Sequence, residues 1–268
     1  MRRQSAITNF KHLARSAVHK LGYTIVPNDR VERAWQIDVN VSDMQADVAF
    51  SDIYARAQPF TMTTMSRMYA LYKATEYVAR CGVAGDMVEC GVWRGGSAML
   101  VALALRAFAA TDRSIYLYDT FTGMPEPTQH DVNLFGQSAR TLLEHSTNES
   151  HVWARASLDD VRANLAATDY PANKLRFVEG KVEQTIPGIA PEQIALLRLD
   201  TDWYASTAHE LEHLYPRLVP GGVLIIDDYG HWQGARKAVD EYVARNNLCI
   251  LLNRIDYTGR IAVKMARP

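Results

Sequence analysis

The sequence predicts an α/β fold: a mostly parallel sheet with helices on both faces and an antiparallel strand at its end. Three observations carry this. From Met87 onward short apolar runs alternate with helix-period segments, the order that builds βαβ units. Two of those runs end in acid: Leu196-Leu197-Arg198-Leu199 stops at Asp200, and Val223-Leu224-Ile225-Ile226 stops at Asp227-Asp228. The last two runs are separated only by the turn Asp256-Tyr257-Thr258-Gly259, too short for a parallel crossover, so one of them runs antiparallel.

Taken in order, residues 1–60 form a helical extension or lid before a main domain over 61–268. Ile7, Phe10, Leu13, Ala17, Val18 and Leu21 recur at helical spacing among Arg2, Arg3, Lys11, Arg15 and Lys20, which gives a basic amphipathic helix. It lacks the long apolar core and small-residue cleavage site of a secretory signal. Packing on the domain or on a partner subunit is favoured over a transit peptide or a membrane-surface helix. The stretch 38–52 reads as polar and irregular. Met65, Met68, Tyr69, Tyr72 and Ala79 predict a helix over 62–81. A strand at 87–90 feeds a helix at 97–110, and a strand at 114–119 leads into a long Pro/Gly/Asn-containing loop at 121–136. A helix begins at Ser157 and runs through 164. Strands follow at 175–179, 194–200 and 222–228, with helices at 206–218 and 234–246 between and after them. Strands at 249–253 and 260–265 close the chain.

Composition narrows the function. The chain has 268 residues, 48% hydrophobic and 22% charged, with a formal net charge of -1. That balance gives no bulk attraction to nucleic acid, and no apolar stretch approaches the roughly 20 residues of a membrane span. Cys81, Cys90 and Cys249 are odd in number and widely spaced. They predict a reducing, cytoplasmic setting without a disulfide framework.

The first strand runs into Val88-Glu89-Cys90-Gly91-Val92-Trp93-Arg94-Gly95-Gly96-Ser97, a strand–loop–helix position where a nucleotide-type ligand meets the backbone. The pyrophosphate fingerprint wants glycine where Trp93 stands, so a nicotinamide cofactor fits poorly. Glu89, at the strand end, suits a ligand that carries an amine and no phosphate, and S-adenosylmethionine has that charge pattern. Asp119 ends the second strand, where an acid holds ribose hydroxyls in sheets of this kind. The plainer reading is a tight turn with two surface acids.

Asp200, Asp227 and Asp228 fall at neighbouring strand ends. Their all-oxygen donors, with no His or Cys at ligand spacing, select Mg²⁺, Mn²⁺ or Ca²⁺ over zinc. Such an ion would lower the pKa of a substrate hydroxyl and orient it. Asp202 lies just past the ligand positions as a candidate general base, with His231 a second candidate. The structural alternatives are that Asp202 or Ser206 caps the following helix, that Asp227 and Asp228 cap a turn before Gly230, and that His231 lies on the surface.

Read together, these segments resemble the macrocin-type O-methyltransferase family, whose members are S-adenosylmethionine- and Mg²⁺-dependent enzymes of sugar hydroxyls on antibiotics. The matching stretches are Thr61-Met62, the run from Gly85 to Gly96, Tyr118-Asp119-Thr120-Phe121-Thr122-Gly123-Met124-Pro125, the run from Ser157 to Arg162, Leu197 to Tyr204, and Tyr215 to Gly230. The resemblance implies a class I methyltransferase (Rossmann-like) sheet of seven strands, the seventh antiparallel. It implies that Glu89, Cys90, Gly91, Val92, Trp93, Gly95, Gly96 and Ser97 hold the methionine part of the cofactor. Thr61 and Met62 would close over it, Asp119 would hold the ribose, and Phe121 to Gly123 would line the adenosine side, with Thr120 and Ser157 further contacts. Asp200, Asp227 and Asp228 fall on the metal positions and Asp202 on the base. The family usually carries Gly at the position of Thr201 and a smaller or aliphatic residue at that of Trp203, which borders the acceptor side. The expected acceptor is a small glycosylated molecule, a natural product or polysaccharide, and the expected assembly is a homodimer or larger homo-oligomer. The rivals are a catechol or phenol O-methyltransferase, a nicotinamide-dependent oxidoreductase, and a cofactor-binding subunit without chemistry.

Overall fold

The computed structural model describes residues 42–146 and 153–266, all of them within one compact unit, Asn40–Pro268. The basic helix read over residues 7–21 lies outside the described residues. Seven strands form one sheet in the order β3-β2-β1-β4-β5-β7-β6. They are β1 (Asp86–Cys90), β2 (Ile115–Asp119), β3 (Leu175–Glu179), β4 (Ile194–Leu199), β5 (Leu218–Ile226), β6 (Asn253–Arg254) and β7 (Arg260–Val263). The first five pair in parallel, and β7 pairs antiparallel with both β5 and β6. This is the predicted class I methyltransferase sheet. No helix among the described residues is long and apolar enough to cross a membrane.

Strand residues alternate between two cores, because successive side chains point to opposite faces. Met87, Leu196, Val223 and Ile225 face one core. There they meet α2 (Val48–Ala57), α3 (Met65–Arg80) and α4 (Gly96–Ala107) through Phe50, Leu71, Leu100 and their neighbours. Val88, Leu197, Leu224 and Ile226 face the other. There they meet α8 (Tyr204–Leu214) and α9 (Gln233–Arg245) through Leu211, Leu214, Val239 and Tyr242. Burying each such side chain contributes about 1.5–3 kcal/mol, so both faces anchor the sheet edge on which the acids sit.

Some predicted elements are corrected. Over the described part of the stretch read as irregular, residues 42–52, α1 (Ser42–Ala46) and the start of α2 stand instead. Asp47 caps α2 by accepting from the Phe50 N–H, and Phe50, Ile53 and Ala57 bury a helical stripe. Two short helices went unread, α5 (Ala139–Glu144) and α7 (Val182–Thr185). Ser157 stands just before α6 (Leu158–Ala166) as its cap, accepting from the Asp160 N–H at 3.2 Å. The helix read over 206–218 ends at Leu214 in a 3₁₀ turn holding Pro216, and β5 already begins at Leu218. The penultimate strand shrinks from 249–253 to Asn253–Arg254, because only Ile261 and Arg260 of β7 offer it partners.

Candidate active site

Register fixes the site. Cys90 lies beside Leu199, and Leu199 beside Ile226. The next residues, Gly91, Asp200 and Asp227, therefore leave three adjacent strands at one level, bound by Asp200 N–H to Cys90 O (2.8 Å) and Asp227 N–H to Leu199 O (2.9 Å). One residue earlier, Glu89 lies beside Arg198.

Gly91 has φ +84°, and a Cβ there would strike the Asp200 carbonyl; only glycine lets the loop pass the end of β4. Gly96 opens α4 against residues 60 and 61, where a Cβ would lie 2.6 Å from Phe60 O and 2.7 Å from Thr61 Cβ. The glycine loop and Thr61 are thereby brought together. Met62 is half-buried beside them. Asp119 braces the loop: one carboxylate oxygen accepts from Val92 N–H (2.7 Å) and Trp93 N–H (3.0 Å), the other from Phe121 N–H (2.8 Å). Trp93 and Phe121 both hold positive φ, +48° and +53°, a conformation uncommon for bulky residues. Thr120 Oγ1 donates to Gly123 O at 2.6 Å, which closes the turn that follows. The Cys90 and Ser97 side chains are buried, Ser97 against Met68, so a ligand would meet these two positions through their backbone.

Two arginines, neither among the site residues the sequence predicts, run through the acids. Arg198, 2% exposed, pairs with Glu89, with Asp200 (2.8 Å) and with Asp227 (3.0 Å), and donates to Thr63 Oγ1 at 3.2 Å. Arg67 pairs with Asp227 and with Asp256 (3.1 Å). A lone arginine inside an apolar strand, at the depth of the acid in the next strand, was the available signal for Arg198. Arg67 left none, since its partners lie far along the chain.

The electrostatics separate the acids. Burial raises Glu89 to about 7 although Arg198 pulls it down. Burial alone would lift Asp227, but Arg198 and Arg67 outweigh it and hold its carboxyl below the usual range. Asp200 is pushed well up by withdrawal from water, against the pull of Arg198. Asp228 is pushed well up by burial and by the charges of Asp202 and Asp227. Asp202 is raised to about 7 by desolvation and by Asp200. Like charges this close cannot all ionise without a proton or a cation.

Neither Asp202 nor Ser206 caps the following helix, whereas Asp228 does open a turn, its carbonyl accepting from His231 N–H and Trp232 N–H, both at 3.0 Å. Tyr204 N–H, at the start of α8, is taken by the buried Asp131 at 2.7 Å, and Ser206 Oγ turns back to Trp203 O at 3.1 Å. Asp202 is thus left out of the helix. His231 packs edge-on against Trp232, with ring centroids 4.9 Å apart. Burial and the Arg67 charge lower it to about 4, which makes it a weak base. Trp203 is 2% exposed and packs on Trp232, donating from Nε1 to Pro125 O at 3.0 Å; it anchors the loop after β2.

Comparison with known proteins supplies the family. The profile of the Macrocin-O-methyltransferase (TylF) family matches residues 18–263. The 8-demethyl-8-(2,3-dimethoxy-alpha-L-rhamnosyl)-tetracenomycin-C 4'-O-methyltransferase of Streptomyces olivaceus is 38% identical over 74% of this chain and 73% of its own. The mycinamicin III 3''-O-methyltransferase of Micromonospora griseorubida is 36% identical over 74% and 76%. The solved O-methyltransferase NovP superposes with a TM-score of 0.68 at 33% identity, covering 77% of this chain and 83% of its own. The chain belongs to the macrocin O-methyltransferase family and is an S-adenosylmethionine-dependent O-methyltransferase.

Proposed function

We propose that the chain methylates a hydroxyl on a sugar of a small glycosylated natural product, with Mg²⁺ (or Mn²⁺) held by Asp200, Asp227 and Asp228. The observation that carries this is the convergence of Asp200, Asp202, Asp227 and Asp228 at the ends of adjacent strands, where among the described residues Arg67 and Arg198 alone pair with them and with Glu89. Among the described residues no three His, Cys, Asp or Glu side chains are already arranged around a metal position, and Asp227 is clasped by the two arginines. The donor set nevertheless fits a hard divalent cation: it is all oxygen, and it carries more carboxylates than guanidiniums. When bound, such an ion lowers the pKa of a hydroxyl and fixes its direction.

The chain's own groups supply the rest. Asp202, outside the helix and near neutrality in proton affinity, accepts the hydroxyl proton on its carboxylate. The glycine loop, Glu89 and Asp119 hold the methyl donor's amino-acid and ribose parts, with Thr61 and Met62 over them. Thr120, Phe121 and Gly123 line its adenosine side, and residue 157 stands nearby as a helix cap. Fixed positions and charges are what the protein contributes to an in-line transfer, while the donor carries the reactive carbon. The sugar acceptor draws support from the two curated relatives, both of whose names place the methyl on a primed position.

The test is methyl transfer from labelled S-adenosylmethionine to three acceptors: a rhamnosylated polyketide, its aglycone, and a catechol. Label on the glycoside alone is expected. Label on the catechol or the aglycone contradicts the sugar assignment.

A further inference from the structure

Between Asp200 and Asp202 stands Thr201. Trp203 N–H donates to Thr201 O at 2.7 Å, and Asp202, between them, has φ +65°. This is the positive-φ form of the γ-turn, rare and strained. Such a backbone persists only where its surroundings over-determine it. The Asp131 and Ser206 bonds described above hold the exit of the turn. Its entry is held by Thr201 Oγ1, which donates to Glu210 Oε1 at 2.9 Å.

Glu210 lies on α8 and is fully buried. Its second oxygen, Oε2, has no hydrogen-bond partner among the described residues. Burial raises its proton affinity well above the usual range. A carboxyl kept under the sheet edge with one oxygen unsatisfied costs stability, and no step of the reaction above uses it. We propose that Glu210 is a positioning residue: through the Thr201 hydroxyl it pins the γ-turn that presents Asp202 to the acceptor.

The inference rests on the reading of Asp202 as proton acceptor, and a double-mutant cycle separates the two. Kinetics are read for Thr201→Val, Thr201→Ser, Glu210→Met, Asp202→Asn and the Thr201→Val/Asp202→Asn pair, with S-adenosylhomocysteine affinity as the check on folding. A buried hydrogen bond of ordinary strength corresponds to about a tenfold change in rate. Thr201→Val and Glu210→Met are each expected to lower kcat about tenfold, with KM for S-adenosylmethionine held and Thr201→Ser recovering most of the loss. In the Asp202→Asn background Thr201→Val is expected to cost nothing more. Parent kcat in both Thr201→Val and Glu210→Met overturns the proposal, as does the same tenfold loss without the Asp202 carboxylate. Parent kcat in Asp202→Asn alone overturns the base reading and the proposal with it. If Thr201→Val does not fold, Glu210→Met alone and in the Asp202→Asn background decides by the same criteria.

Discussion

Replacing Arg198 with methionine tests the electrostatic frame of the site at its centre. The guanidinium is buried and touches Glu89, Asp200 and Asp227. Methionine fills much of its volume, leaves Asp227 paired with Arg67, and takes from Glu89 and Asp200 the guanidinium they share. Removing one partner of a buried ion pair costs about 3–5 kcal/mol. The three contacts share one charge, so their costs do not add. For a domain of this size that loss is roughly 10 °C in Tm. The sign of its pH dependence follows from Glu89. With Arg198 present its carboxyl already sits at about 7; without Arg198 it rises further and is neutral across a wider range. Above about pH 7 the folded parent loses the Glu89 proton that the folded variant keeps, so the penalty is larger at about pH 7.5 than at about pH 5.5, where both hold it. Thermal melts of parent and variant at the two pH values, free of cofactor and divalent ions, measure it. A loss under about 1 kcal/mol near neutrality, or one that grows on acidification, refutes the reasoning.

Two further outcomes follow from the same geometry. In the cation-free parent, Glu89 and Asp202 each hold a proton up to about 7, whereas both titrate near 4 when unfolded. Stability from these groups is present below about pH 4 and falls as pH rises from there to about 7. Addition of Mg²⁺ near neutrality raises the Tm again; a Tm that climbs with pH over this window contradicts the assignment. Asp119→Ala removes the acceptor of the Val92, Trp93 and Phe121 N–H groups and is expected to weaken S-adenosylhomocysteine binding by at least about tenfold. Calorimetric titration giving the parent affinity would show that Asp119 does not shape the cofactor site.

The strand ends were the most legible part of the chain. Leu175–Glu179 carries the same bounds in sequence and structure. Asp200 and Asp227 meet because two apolar runs of similar kind become neighbours in register. The misread stretches are those where a local pattern lacks what decides the structure. Residues 42–57 form two short helices whose apolar stripe is made by Phe50, Ile53 and Ala57, too brief to stand out among polar neighbours. Leu251 belongs to an apolar run and is 82% exposed, since apolarity alone supplies no strand partner. At the site the acids were visible, and of their counter-charges Arg198 left a trace inside its apolar strand while Arg67 left none, since it reaches Asp227 and Asp256 from a different part of the chain. The helix-cap role of Asp131 for Tyr204 likewise arises only when the loop after β2 folds back. That contact frees Asp202, which local sequence left balanced between cap and base.

A divalent cation held by the strand-end carboxylates would serve methyl transfer directly. The most direct measurement is transfer of labelled methyl to a glycosylated acceptor by protein treated with EDTA, before and after Mg²⁺ is restored, beside Asp228→Asn. No transfer is expected in chelator, full recovery with Mg²⁺ in the parent, and little recovery in Asp228→Asn while both proteins bind S-adenosylhomocysteine alike. Full activity in chelator would contradict that role.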